Sequence, residues 1–147
     1  MVTVDIQHVY TGQIPDSELI QLWAESALQQ VKNDCELSIR FVDEAESASL
    51  NKQYRGKANS TNVLSFRFES EITLEPLLLG DLVICVPIVE REAETQAKSV
   101  DHHCAHLVVH GCLHLIGYNH IEDYEAIEME TLETDILDTL AIPNPYQ

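Results

Sequence analysis

Positive charge is what this chain has least of: 8 Lys and Arg stand against 25 Asp and Glu in 147 residues, a formal net charge of −17. So acidic a surface repels other polyanions, which excludes indiscriminate binding to nucleic acid or anionic membrane. Long apolar runs are also missing. The longest, Leu82–Val89, is interrupted by Pro87 and falls far short of the roughly 18 residues of a membrane span. The opening Met1-Val2-Thr3-Val4-Asp5 has neither a basic stretch nor an apolar one, so export is not expected. No C-x-x-C pair occurs among Cys35, Cys85, Cys104 and Cys112; each lies in an apolar segment, which suits buried free thiols in a reducing cytoplasm rather than disulfides. No repeat, linker or low-complexity stretch divides the chain. With 45% apolar residues, residues 1–147 are expected to close one hydrophobic core as a single domain.

The few cations are unevenly placed. From Ser47 to Phe68 there is no acid, while Lys52, Arg55, Lys57 and Arg67 give that window a charge of +4. From Ser99 onward there are nine acids and no Lys or Arg, so that third of the chain offers positive charge only through a metal or protonated histidine. Alone, the basic window reads as a solvated loop.

Hydrophobic periodicity places the elements. Period-2 alternation predicts strands over Val2–Tyr10 and Glu36–Asp43, and further strands over Asn62–Phe68 and Leu79–Val86, with an acidic turn region between those two. A helix is expected over Asp16–Val31, with Leu19, Ile20, Trp23, Ala27, Leu28 and Val31 on one face. A short one capped by Asp43 runs to Tyr54, and another starts around Pro87 and runs to about Ser99. Ser99 caps a strong helix over Val100–Ile116, stopped by Gly117. An acidic amphipathic helix over Glu122–Leu140 presents a solvated face above a Leu132, Ile136 and Leu140 stripe. The order implies an α/β (α+β) domain: a mixed four-stranded sheet packed with about five helices and at least one parallel crossover.

Six of the seven histidines fall between positions 102 and 120. His110 and His114 are one turn apart, separated by about 40° around a helix axis, so both rings reach one ion. Gly117 turns the chain and brings His120 back toward the same point. Three imidazoles at the C-terminal end of the helix leave tetrahedral zinc one open position, the arrangement of catalytic rather than structural zinc, although such a set also accepts nickel, copper or iron. Cys112, roughly 160° around the helix from both flanking histidines, points away and is no fourth ligand. His103 and His106 lie near the ligand face, one and two turns earlier, where they either support the site or line its cleft, or are simply buried. Metzincin proteases use H-E-x-x-H-x-x-G-x-x-H; here Gly111 replaces the glutamate, so the base for peptide hydrolysis is missing.

The run His106-Leu-Val-Val-His110-Gly111-Cys-Leu-His114-Leu115-Ile-Gly117-Tyr118-Asn119-His120 resembles the signature of the YbeY family, bacterial single-strand-specific metallo-endoribonucleases of ribosomal RNA maturation. Two further blocks agree: Leu50-Asn51-x-x-Tyr54-Arg55-Gly56-Lys57 followed by Thr61-Asn62-Val63-Leu64-Ser65-Phe66, and Leu79-Gly80-Asp81-Leu82-Val83-Ile84. The likeness spans about Leu50 to Leu140 and, in element order, essentially the whole chain.

The resemblance implies one Zn2+ per chain held by His110, His114 and His120, with His114 and Arg55 as catalytic residues and Arg55 important for RNA processing. Lys52, Arg55, Lys57 and Arg67 become candidate substrate-binding residues, since zinc and guanidinium both stabilise charge developing on phosphate oxygens. It further implies single-stranded RNA as substrate, 16S rRNA 3′-end maturation, ribosome biogenesis and 70S quality control. The expected setting is the cytoplasm, beside the small ribosomal subunit and a ribosomal protein, with no membrane and no DNA. Two positions depart from the family: Asn62 and Asn119 stand where Asp is common, and neutral amides cannot act as a general base. Arg67 stands where proline is frequent. The alternatives are a non-catalytic zinc-containing ribosome-assembly factor and, further off, a metalloprotease-like hydrolase.

Overall fold

Alternating apolar side chains build two neighbouring parallel strands, β1 (Val2–His8) and β2 (Cys35–Val42), joined through helix α1 (Ser17–Ala27). The computed structural model describes residues 1–57, 59–69 and 75–146. After β2 come α2 (Glu44–Arg55), β3 (Val63–Arg67), β4 (Leu77–Cys85), α3 (Val86–Thr95), α4 (Val100–Leu115) and α5 (Asp123–Thr139). The sheet order is β1-β2-β4-β3, with β2 parallel to β4 and β3 antiparallel to it. Ile6 faces Ile39 and Ile39 faces Leu82 across the parallel ladder. The described residues thus form the expected single domain with a mixed four-stranded sheet and five helices. Much of the acidic turn before β4 lies outside the described residues.

The two sheet faces are unequal. On one, Leu37, Ile39 and Phe41 of β2 and Leu82 and Ile84 of β4 pack against Ile20, Trp23 and Ala24 of α1 and Val108, Val109 and Cys112 of α4. On the other, Val42, Leu64 and Val83 make a smaller cluster with Leu50 of α2 and Phe66. Helix α4 is buried around most of its circumference, which explains why an element rich in histidine is also rich in Val and Leu. Gly111 lets it approach the sheet: a Cβ there would stand 2.7 Å from a methyl of buried Leu82. All four cysteines are free and buried, and burial pushes the thiols of Cys104 and Cys112 up to about 12. Among the described residues no helix is long and apolar enough to cross a membrane.

Two helices are shorter than their patterns suggest. Helix α1 ends at Ala27, and Leu28, Val31 and their neighbours complete the apolar stripe from a turn in which Val31 N–H donates to Leu28 O. Helix α3 ends at Thr95 rather than near Ser99: Ala97 takes a left-handed φ of 55°, Ala97 N–H donates to Glu94 O and Lys98 N–H to Ala93 O. That is a Schellman termination made without glycine. The capping residues behave as expected, Asp43 accepting from Glu46 N–H and Ser99 from His102 N–H. Asp16 precedes α1 without a side-chain capping bond.

Candidate metal centre

The end of α4 is built by its stop signal. Gly117 adopts φ 107°, Gly117 N–H donates to His114 O and Tyr118 N–H to Leu113 O, closing the Schellman pattern. The turn also brings the Tyr118 carbonyl back over the helix, where it accepts from His114 Nδ1 at 2.9 Å. The next residues return His120, whose ring centroid lies 5.5 Å from that of His110 and 5.0 Å from that of His114. One nitrogen from each of His110, His114 and His120 falls within 4.8 Å of the others. The grouping expected from their spacing therefore forms at the C-terminal end of α4.

The hydrogen bonds decide which nitrogens are free. A carbonyl oxygen only accepts, so His114 Nδ1 carries the proton and its Nε2 presents a lone pair. His110 Nδ1 meets the Glu133 carboxylate, likewise an acceptor, so Nδ1 carries a proton and Nε2 is the nitrogen turned toward His114. These two Nε2 atoms face each other at 3.1 Å. With both rings neutral, two lone pairs at that distance repel, so the contact is held either by a proton shared between the rings or by a metal ion. Tetrahedral zinc, with bonds of about 2.05 Å, separates its nitrogen ligands by about 3.3 Å, so the pair fits a metal as it stands. Burial, and then the neighbouring His110, lower the His114 pKa to about 4. The ring is thus neutral, as a ligand must be, at neutral pH.

Behind His110 lies a polar cluster that the sequence pattern did not reveal. Glu133 of α5 is fully buried; its carboxylate receives His110 Nδ1 and the Tyr146 hydroxyl, and His106 Nε2 at 3.3 Å. His106 Nε2 also lies 3.2 Å from the Tyr146 hydroxyl. Burial raises the Glu133 pKa, but the hydrogen bonds from His106 and His110 outweigh it and bring the group down to about 2. Tyr146 is pushed up by burial and by the Glu133 charge. The buried line of α5 is Met129, Glu133 and Leu137, whereas Leu132, Ile136 and Leu140 flank it half-buried. A glutamate four residues from an apolar neighbour on either side was the available signal, hidden in a helix full of exposed acids. His103 is supported elsewhere: its Nε2 lies 2.9 Å from Glu92 Oε1.

The cationic residues divide. A side chain on Gly117 would stand 3.7 Å from the Arg67 guanidinium nitrogens, so Arg67 sits at the metal-site end of α4. Arg55 donates to Ser65 O at 2.9 Å and is exposed beside β3. Lys52 and Lys57 stand exposed at and just beyond the end of α2, and among the described residues no hydrogen bond ties them to the histidines. The amide of Asn62 donates to Glu92 Oε1 at 3.1 Å. An aspartate there would oppose one carboxylate with another, which accounts for the neutral residue. Among the described residues Asn119 makes only a long contact of 3.5 Å with Ile121 N–H. Gly111 is packed against Leu82, so the place of the metzincin glutamate has neither a side chain nor room for one.

Comparison with known proteins adds independent findings. The family described as Endoribonuclease YbeY matches residues 7–141. The Endoribonuclease YbeY of Stutzerimonas stutzeri is 54% identical over 147 residues, covering 99% of this chain and 92% of that protein. Its counterpart from Alteromonas mediterranea is 53% identical over 150 residues, covering 97% and 95%. The solution structure of a Thermotoga maritima protein shares the fold with a TM-score of 0.60 at 24% identity, covering 96% of this chain and 92% of that one.

Proposed function

Because this chain belongs to the YbeY endoribonuclease family, we propose that it is a metal-dependent endoribonuclease that hydrolyses single-stranded RNA with one zinc ion per chain. The observation that carries the metal is the pair of Nε2 atoms on His110 and His114, facing each other 3.1 Å apart, about the separation of two ligands of one zinc ion, with His120 beside them. When bound, zinc supplies a localised positive charge that acidifies water to a pKa of about 7 and draws electron density from a phosphate oxygen.

The chain's residues divide the remaining work. His110, His114 and His120 hold the ion with neutral nitrogens. Arg67, at the metal-site end of α4, and Arg55, beside β3, grip the phosphate; Lys52 and Lys57 extend the basic edge along which the single strand lies. Gly111 offers no carboxylate, so the attacking group is either water or the RNA's own 2′-hydroxyl, and the products distinguish them. A 2′,3′-cyclic end marks the internal attack.

In its finer form the reading places the enzyme in 16S rRNA 3′-end maturation, ribosome biogenesis and 70S quality control. Residues 1–147 act as one catalytic domain working on the small ribosomal subunit, beside a ribosomal protein, in the cytoplasm. The family supports the substrate, and four buried free thiols suit a reducing compartment. The test pairs zinc content with cleavage of a single-stranded RNA oligonucleotide. His114→Ala loses both; Arg55→Glu keeps zinc and loses cleavage. Zinc well below one per chain in chelator-free preparations, or undiminished cleavage by metal-free His114→Ala, overturns the reading. Tight RNA binding without turnover identifies an assembly factor instead.

A further inference from the structure

The metal reading leaves unexplained a fully buried carboxylate one residue behind the site. A lone charge in an apolar interior is costly, and Glu133 lies on the buried line of α5 between Met129 and Leu137. Its surroundings are specific. One oxygen receives His110 Nδ1. The other receives the Tyr146 hydroxyl and lies 3.3 Å from His106 Nε2. Among the described residues the donors come from two parts of the chain: His106 and His110 from successive turns of α4, and Tyr146 from the segment that follows α5.

The geometry points to Glu133 as a positioning residue of the metal centre, a carboxylate tether that fixes the Nδ1–H tautomer and ring orientation of His110 and is itself clamped by His106 and by Tyr146 of the C-terminal segment. This rests on the three-histidine metal reading and extends it to residues that never touch the ion. His110 is the ligand that needs such a tether. The Tyr118 carbonyl already fixes His114 from within its own helix end, whereas among the described residues His110 Nδ1 has Glu133 as its acceptor. With both Nδ1 atoms held, both Nε2 lone pairs are aimed at one point before any ion arrives. A carboxylate behind a ligating imidazole also raises the basicity of the nitrogen facing the metal.

His106 fits the same role. Its Nε2 bears the proton offered to Glu133 and Tyr146, and among the described residues its buried Nδ1 has no partner. It is placed to hold the carboxylate, not to hold an ion, although His106, His110 and Glu133 also come within metal-ligand distance of one another. In that cluster both donors to Glu133 are already protonated, which leaves no lone pair facing inward.

The test uses zinc itself, titrated into the full chain against a chromophoric chelator, with the histidine tautomers read by 15N NMR in the metal-free protein. In the unmutated chain His110 is the Nδ1–H tautomer. Glu133→Gln is expected to weaken zinc about 10–100-fold and to mix the His110 tautomers while those of His114 stay unchanged. Glu133→Asp, which keeps the charge, recovers part of the affinity. Tyr146→Phe loses a smaller, several-fold share. An unmutated chain that binds no zinc overturns the metal reading and the tether with it. Zinc binding that is normal in the unmutated chain and equally tight in Glu133→Gln, with His110 still Nδ1–H, overturns the tether alone. Should Glu133→Gln fail to fold, Tyr146→Phe decides: unaltered affinity and tautomers reject the clamp.

Discussion

His114 illustrates how much one ring's surroundings determine. Burial and the neighbouring His110 lower its pKa to about 4, and burial lowers that of His103 as well, against the opposing effect of the hydrogen bond it donates to Glu92. Unfolded, both rings titrate near the ordinary value of about 6.5. As pH falls, the unfolded chain therefore takes up these protons first. The stability they contribute is whole above pH 6.5 and is lost as pH drops through their lowered folded-state values, which for His114 means toward about 4. For chelator-treated protein we expect the urea midpoint to fall between pH 7 and pH 5, a range in which carboxylates with ordinary pKa values near 4 scarcely titrate. His103→Gln, which still donates to Glu92 but cannot titrate, should show a shallower fall. A midpoint independent of pH over that range contradicts the assignment. The grouping of His110, His114 and His120 was legible in the sequence because it lies within one helix and its stop. The Glu133 contact was not, because α4 and α5 meet only in three dimensions and an acid in an acidic helix carries no mark of burial.

At the level of elements, the helix ends separate what sequence discloses from what packing decides. Gly117 announces the end of α4, since left-handed φ is free for glycine. Ala97 and Ala141 do the same job silently, at φ 55° and 59°, and a reading by residue type runs the α3 helix on toward Ser99. The sheet, the crossover and the caps were legible for the opposite reason: period-2 alternation and Asp43 or Ser99 before an apolar periodic run are local signals. A left-handed conformation costs a non-glycine residue about 1–2 kcal/mol, offset in part by glycine's greater freedom when unfolded. Both alanines are exposed, so replacing them removes little packing. Ala97→Gly and Ala141→Gly should each stabilise the fold by about 0.5–1 kcal/mol, measured by urea denaturation of the same preparation. Gly80 predicts the converse. Its φ is 139° and a Cβ would stand 2.1 Å from the Phe66 carbonyl oxygen, a backbone atom of the paired strand that cannot step aside. Gly80→Ala should cost about 2 kcal/mol or more, and a loss under about 0.5 kcal/mol would mean β3 is not held at that register.

Over the whole molecule, the net charge of −17 and an RNA substrate are compatible only if contact is confined. Arg55 and Arg67 lie beside and on β3, Lys52 and Lys57 at and just beyond the end of α2, while α5 carries a run of acids with Glu128, Asp135 and Asp138 exposed. With at most four cations meeting phosphates, the logarithm of single-strand affinity should fall against the logarithm of salt with a slope no steeper than about −3. The acidic remainder then works by exclusion: it repels duplex or casually bound RNA that lies across the surface, over a range of about 10 Å at 0.1 M salt. Replacing Glu128, Asp135 and Asp138 by their amides leaves the histidines and the basic edge untouched. We expect that triple variant to bind uncleaved duplex RNA several-fold more tightly at 50 mM salt, with the difference vanishing near 0.5 M as screening removes the repulsion. Cleavage of a single-stranded oligonucleotide should change little, because the contacts proposed for it lie at the basic edge. Equal duplex binding by the two proteins at low salt would show that the acids do not restrict access, and a slope much steeper than −3 would show that RNA touches more of the surface than the basic edge.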